Sequence, residues 1–104
     1  MTDGAPLTFC CLLWSHPATL DALHAYEDAV LALFADHGAS VIERARRSGA
    51  DAVGGESLPA EVQLLRFPDQ EAVDAYLSDP RRIAMLPERD RVIARTELFP
   101  VRLG

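Results

Sequence analysis

The chain is predicted to fold as α+β: a four-stranded antiparallel sheet with its helices on one face. Three observations carry this. Short apolar runs with strand character alternate with stretches of helical period in the order β-α-β-β-α-β. Pro or Gly residues punctuate most of the changes in period. The two halves of the chain also echo each other as strand-helix-strand units. At 104 residues there is room for one core, so residues 1–104 are expected to form a single domain with its body from about Leu7 to Val101.

The first strand is expected over Leu7 to Trp14, bounded by Pro6 and by Ser15-His16-Pro17. It is apolar at nearly every position, which fits a strand covered on both faces. From Ala18 to His37 the period changes. Leu20, Leu23, Tyr26, Val30, Leu31, Leu33 and Phe34 share one side of a helix, with Pro17 suited to its first turn and Gly38 to its C-terminal stop. Ser40 to Ala45 reads as a more polar edge strand, followed by a Gly-rich loop or wide hairpin connection from Ser48 to Pro59. Gly54-Gly55 within it precedes a strand and not a helix, so it is no phosphate cradle. Glu61 to Phe67 is a third strand, and Asp69 caps a second helix whose inward face is Val73, Tyr76 and Leu77. Asp79-Pro80 restarts a helical segment that is expected to stop at Pro87, and a last strand runs from about Ile93 to Val101.

This order is that of a split β-α-β, ferredoxin-like domain. Both helices then cover one face of the sheet and the chain leaves the other face bare. A wetted face would make the first strand alternate apolar and polar, but Phe9 through Trp14 offers water nothing on either side. A second copy of the chain is the expected cover, so a homodimer is predicted.

Composition narrows the chemistry. The formal net charge of −6 argues against nucleic acid and anionic membranes as partners. All ten basic residues are Arg, and neither Lys nor Asn occurs, which removes Schiff-base chemistry and the lysine of a phosphate-binding loop. The Ala- and Arg-rich usage suggests a GC-rich bacterial genome. With no basic, apolar leader and no apolar stretch of bilayer length, a cytoplasmic protein is expected. Adjacent Cys10 and Cys11 point to opposite faces of a strand, so they are expected to be buried structural thiols and not a disulfide.

The stretch EVQLLRFPDQEAVDAYLSDPRRIAMLPERDRVIARTELFPV, preceded by AYEDAVLALFADHGASVIERA, resembles the dimeric α/β-barrel superfamily. It is most similar to small bacterial members of unknown function, of the kind grouped as domain of unknown function 1330. The resemblance spans about Leu7 to Val101 and implies the ferredoxin-like fold and a dimer. It implies no single activity, because the superfamily includes lactone isomerases, cofactor-free monooxygenases, haem-degrading enzymes and proteins with no known activity. No complete haem-ligand or monooxygenase constellation can be matched here, and the monooxygenases' Asn has no counterpart. No cofactor is therefore expected.

Glu27 is the foremost candidate for chemistry, since it lies inside the apolar arc of the first helix among Leu23, Val30 and Leu31. A carboxylate there is either an acid or base with a raised pKa or the partner of a strand arginine such as Arg66 or Arg95. His24, three positions earlier, is the second catalytic candidate. His37 fits a helix C-terminal cap and His16 a turn. Trp14, Tyr26, Phe67 and Tyr76 are candidate aromatic pocket walls, and Arg66 and Arg95 are candidate anion-binding groups or members of cross-strand ion pairs. Arg81-Arg82 and Glu88-Arg89-Asp90-Arg91 read as solvated charge. No metal site has ligand spacing in its support. The expected function is uptake of a small hydrophobic or aromatic metabolite in a helix–sheet pocket, with cofactor-independent catalysis as one form. The alternatives are a non-catalytic binding module and a purely structural or interaction dimer.

Overall fold

The computed structural model describes residues 5–48 and 57–104. Along the chain run β1 (Leu7–Ser15), α1 (Leu20–Leu31), a 3-10 segment (Ala32–His37), β2 (Ser40–Arg46) and β3 (Glu61–Phe67). They are followed by α2 (Gln70–Leu77), α3 (Pro80–Ala84), α4 (Leu86–Val92) and β4 (Ile93–Pro100). The sheet has the order β2-β3-β1-β4, and each neighbouring pair is antiparallel. This is the expected ferredoxin-like arrangement. The Gly-rich connection expected from Ser48 to Pro59, with Gly54-Gly55, falls for the most part outside the described residues.

Alternation along the strands sorts the two faces. Cys11 pairs with Gln63, Leu13 with Glu61 and Phe9 with Leu65, and these positions lie under the helices. Leu23, Tyr26 and Val30 of α1 and Val73 and Tyr76 of α2 close over them into one core with Phe34 and Phe67. Phe34 sits 5.0 Å from Phe67 and 4.8 Å from Tyr76 between ring centroids, so an aromatic cluster fixes the 3-10 segment and α2 onto the sheet. The intervening positions, Cys10, Leu12, Trp14, Val62 and Leu64, look the other way, where the described residues provide no second layer.

Several details differ from the sequence reading. The first helix starts at Leu20 and not at Ala18, because Ala18 takes a left-handed conformation (φ 65°) in the turn after Pro17. Thr19 braces that turn by donating its hydroxyl to the carbonyls of His16 and Val92. The helix then tightens into 3-10 geometry from Ala32 before ending at Gly38 (φ 67°), as expected for a left-handed stop. Pro87 does not end the helical region: it occupies the first turn of a further helix, α4, where its missing N–H costs nothing. The caps follow expectation, with Asp69 accepting from the Ala72 amide at 2.9 Å. His37, read as a cap, instead binds Asp79 Oδ2 through Nε2 at 2.8 Å, and Arg81 grips the same carboxylate. Of the two cysteines, only Cys11 is buried; Cys10 is half-exposed on the bare face.

Candidate functional site

Between the helices and the sheet lies a cavity of about 180 Å³, walled chiefly by apolar and aromatic side chains. β1 and β3 supply the floor with Cys11, Leu13, Leu65 and Phe67, while Tyr26, Val30 and Tyr76 form the roof. Leu77 (46% exposed) and Leu98 (53% exposed) also line it, which places its opening between α2 and β4.

Four of the expected residues meet here: Glu27, Tyr26, Phe67 and Tyr76. Glu27 is buried and accepts one hydrogen bond, from Gln63 Nε2 to its Oε1 at 2.8 Å. Among the described residues its Oε2 has no hydrogen-bond partner. Burial in this apolar wall raises its pKa from the ordinary 4.5 to about 7, against the bond from Gln63 and with help from the nearby charge of Glu61. The cavity thus has a carboxyl group that changes charge near neutrality. Burial likewise pushes the Cys11 thiol up to about 12, so it stays protonated and is no nucleophile.

The expected arginine partners of Glu27 do not reach it. Arg66 and Arg95 stand on the bare face, the opposite side of the sheet from Glu27. There Arg95 forms an ion pair with Glu97 and lies over the Trp14 ring, 4.4 Å from its centroid. Trp14, Arg66 and Arg95 are therefore not residues of this cavity, and Arg66 instead lines an open hollow with Thr8, Val101 and Arg102. The one-residue alternation of a strand decides this, because positions 66 and 95 have the opposite parity in register to the floor residues Leu65 and Thr96.

His24 is also absent from the cavity wall. Its Nδ1 lies 2.7 Å from Glu61 Oε2 and its Nε2 lies 3.3 Å from the Arg47 carbonyl. Glu61 is the centre of this second cluster. Arg44 donates to it through Nε at 2.7 Å and Nη2 at 2.8 Å, and Gln63 through Nε2 at 2.9 Å. Arg44 also holds Asp28 at 2.5 Å and the His24 carbonyl at 3.0 Å. Burial alone would raise the pKa of Glu61, yet the hydrogen bonds from Arg44, Gln63 and His24 outweigh it and hold the carboxyl below its ordinary range. Glu61 is thus a structural anion that locks α1, β2 and β3 together.

Sequence reasoning missed Gln63, which joins the two clusters, and it missed Arg82 and Arg89, which line the cavity although they read as solvated charge. Gln63 had a legible signal: in Glu61-Val62-Gln63-Leu64-Leu65-Arg66-Phe67 it shares parity with the buried Leu65 and Phe67. Arg89 had none, because α4 itself was hidden by Pro87, and Arg82 lies on the expected helical segment, α3, without an apolar period to turn it inward. Among the described residues no group of three or more His, Cys, Asp or Glu is placed to hold a metal ion, and no helix is long and apolar enough to cross a membrane.

No family model matches the chain, and no curated protein does either. Solved structures match closely in shape. A protein of unknown function from Rhodopseudomonas palustris superposes with a TM-score of 0.75 at 14% identity, covering 98% of this chain and 86% of that one. A dimeric protein of unknown function with a ferredoxin-like fold from Bacteroides fragilis matches with a TM-score of 0.68 at 11% identity, over 94% of this chain and 96% of that one. A DABB family protein with a ferredoxin-like fold from Mesorhizobium loti matches with a TM-score of 0.64 at 15% identity, over 98% and 100%. The narrower placement beside domain of unknown function 1330 rests on the sequence resemblance alone. These likenesses show the fold, and by fold the chain is ferredoxin-like.

Proposed function

We propose that the chain acts as a homodimer in which each protomer takes up a small, largely apolar molecule in the helix–sheet cavity, with Glu27 meeting a polar group on it. The observation that carries this is Glu27 itself: a buried carboxyl on an apolar cavity wall, with one oxygen unbonded among the described residues. A cavity of ~150 Å³ is enough to admit a benzene ring. At about 180 Å³ this one suits one six-membered ring with a short substituent. A titration with benzyl alcohol, followed by amide NMR shifts, is the direct test. Shifts confined to the cavity-lining residues of β1, β3 and α2, with a raised melting temperature, are expected; no shift at millimolar ligand would contradict the reading.

The pKa of Glu27, near 7, also suits a general acid or base, so proton transfer on a bound ring is the catalytic form of the same proposal. Turnover that disappears in Glu27→Gln, with ligand binding retained, would separate an enzyme from a binding module.

The dimer is supported by the bare face of the sheet. Val62 (38% exposed) and Phe99 (40% exposed) join Cys10, Leu12 and Leu64 there in a continuous apolar surface. A face-to-face pairing is expected to bury about 800 Å² per protomer. Leu64→Arg should convert the protein to a monomer in light scattering at micromolar concentration; a wild-type monomer would contradict the proposal.

A further inference from the structure

Resting on that pocket reading, the structure takes the ligand one step further: we infer that the bound molecule is a small carboxylate, its acid group held at the cavity mouth by Arg82 and Arg89. Arg82 on α3 and Arg89 on α4 both line the cavity and both are half-buried. Neither pairs with a carboxylate among the described residues. By contrast, Arg44, Arg81, Arg91 and Arg95 each hold one, and half-buried Arg47, which does not, donates to the Pro59 carbonyl away from this cavity. In a chain whose acidic residues outnumber its basic ones, 16 to 10, carboxylates are in excess. Two part-desolvated guanidiniums without one therefore mark a place for an external anion.

The two groups are also braced for that role. Arg89 donates through Nη2 to the Thr96 hydroxyl at 3.1 Å, and Thr96 lines the same cavity from β4. Arg82 donates through Nη1 to the Leu77 carbonyl at 3.2 Å and lies over the Tyr76 ring, 5.4 Å from its centroid. A guanidinium carries five N–H donors, so each keeps several for a ligand. Their planes are oriented before the ligand arrives, which reduces the entropy lost on binding. An apolar body would then fill the space bounded by Phe67, Val30 and Tyr76, and the ring's far edge would face Glu27. The geometry selects a monocyclic carboxylate over larger or cationic molecules of similar ring size.

Calorimetric titration of the whole chain with benzoate, benzyl alcohol and benzylamine tests this. Benzoate is expected to bind most tightly and benzylamine least. Arg89→Met and Arg82→Met should each weaken benzoate by about ten- to a hundred-fold while leaving benzyl alcohol within a factor of about two. Arg89→Lys, which keeps the charge and the fold, should fall between Arg89→Met and wild type. Equal affinity for benzoate and benzyl alcohol, or benzoate binding unchanged in both Met variants, would overturn the anion anchor and leave the pocket standing. Failure of all three compounds to bind would overturn the anchor and the pocket together.

Discussion

Glu27 and Glu61 are both buried, both lie between the helix layer and the sheet, and both accept a hydrogen bond from the same Gln63 amide group, yet the protein treats them oppositely. Glu61 has Arg44 against both oxygens and His24 beside one, so its charge is compensated in place. Glu27 has the shared glutamine, a mostly apolar wall and only the unbonded charges of Arg44 and Arg89 nearby, so burial dominates and its proton is retained up to about pH 7. The difference lies in the supply of cations, not in depth. It teaches that burial of an acid marks a site for chemistry only where the fold withholds a partner.

The largest expected effect comes from breaking the compensated side. Glu61→Ala strips Arg44 of its main partner in a largely buried setting and leaves a Gln63 donor unused. Loss of about 3–5 kcal/mol of stability in urea unfolding is expected, the usual result of removing one member of a buried pair. A loss below about 1 kcal/mol would mean that Glu61 is hydrated.

Glu27 gives the reverse signature in pH. Its folded pKa lies above the unfolded value of 4.5, so its contribution is fully present below about pH 4.5 and is lost as pH rises through about 7. The shift corresponds to a loss of about 3 kcal/mol across that window. Glu27→Gln should remove this fall, so the variant gains on wild type between pH 5 and pH 8. Glu61, with its pKa lowered in the fold, should contribute stability above its unfolded value and lose it as pH falls below that. Urea titrations of wild type and Glu27→Gln at the two ends of the window check the sign; parallel profiles would contradict it.

A smaller effect is expected at the shared residue. Gln63→Leu removes a donor from each carboxylate, at a cost of about 1–3 kcal/mol, and should push the Glu27 titration further up because the lost bond favours the ionised form. A lowered Glu27 titration in this variant would show that Gln63 does not stabilise the ionised form.

The contrast also explains what the sequence discloses. Apolar period alone places β3 at Glu61–Phe67 and puts Glu27 inside the arc of α1, because both depend on local geometry. The cationic partners do not follow from local geometry. Arg44 reaches Glu61 across the β2–β3 pairing, with a register shift between Val41 and Glu43 that no periodicity reveals. Arg66 and Arg95 look like plausible partners for Glu27 until the sheet register sends them to the other face. α4 is concealed by Pro87, which serves equally as a stop and as a first-turn residue, and with α4 goes the inward turn of Arg89. The bare face, in contrast, is legible at once, since a strand with no polar alternation needs cover on both sides.

Carbon-13 NMR titration of the side-chain carboxyls is the most direct test of the central claim. It should give two well-separated midpoints, Glu27 near 7 and Glu61 below its ordinary 4.5, in the same protein and the same buffer. Glu27 titrating at or below 4.5 alongside Glu61 would contradict the account, because it would mean that the cavity carboxyl is as well compensated as the structural one.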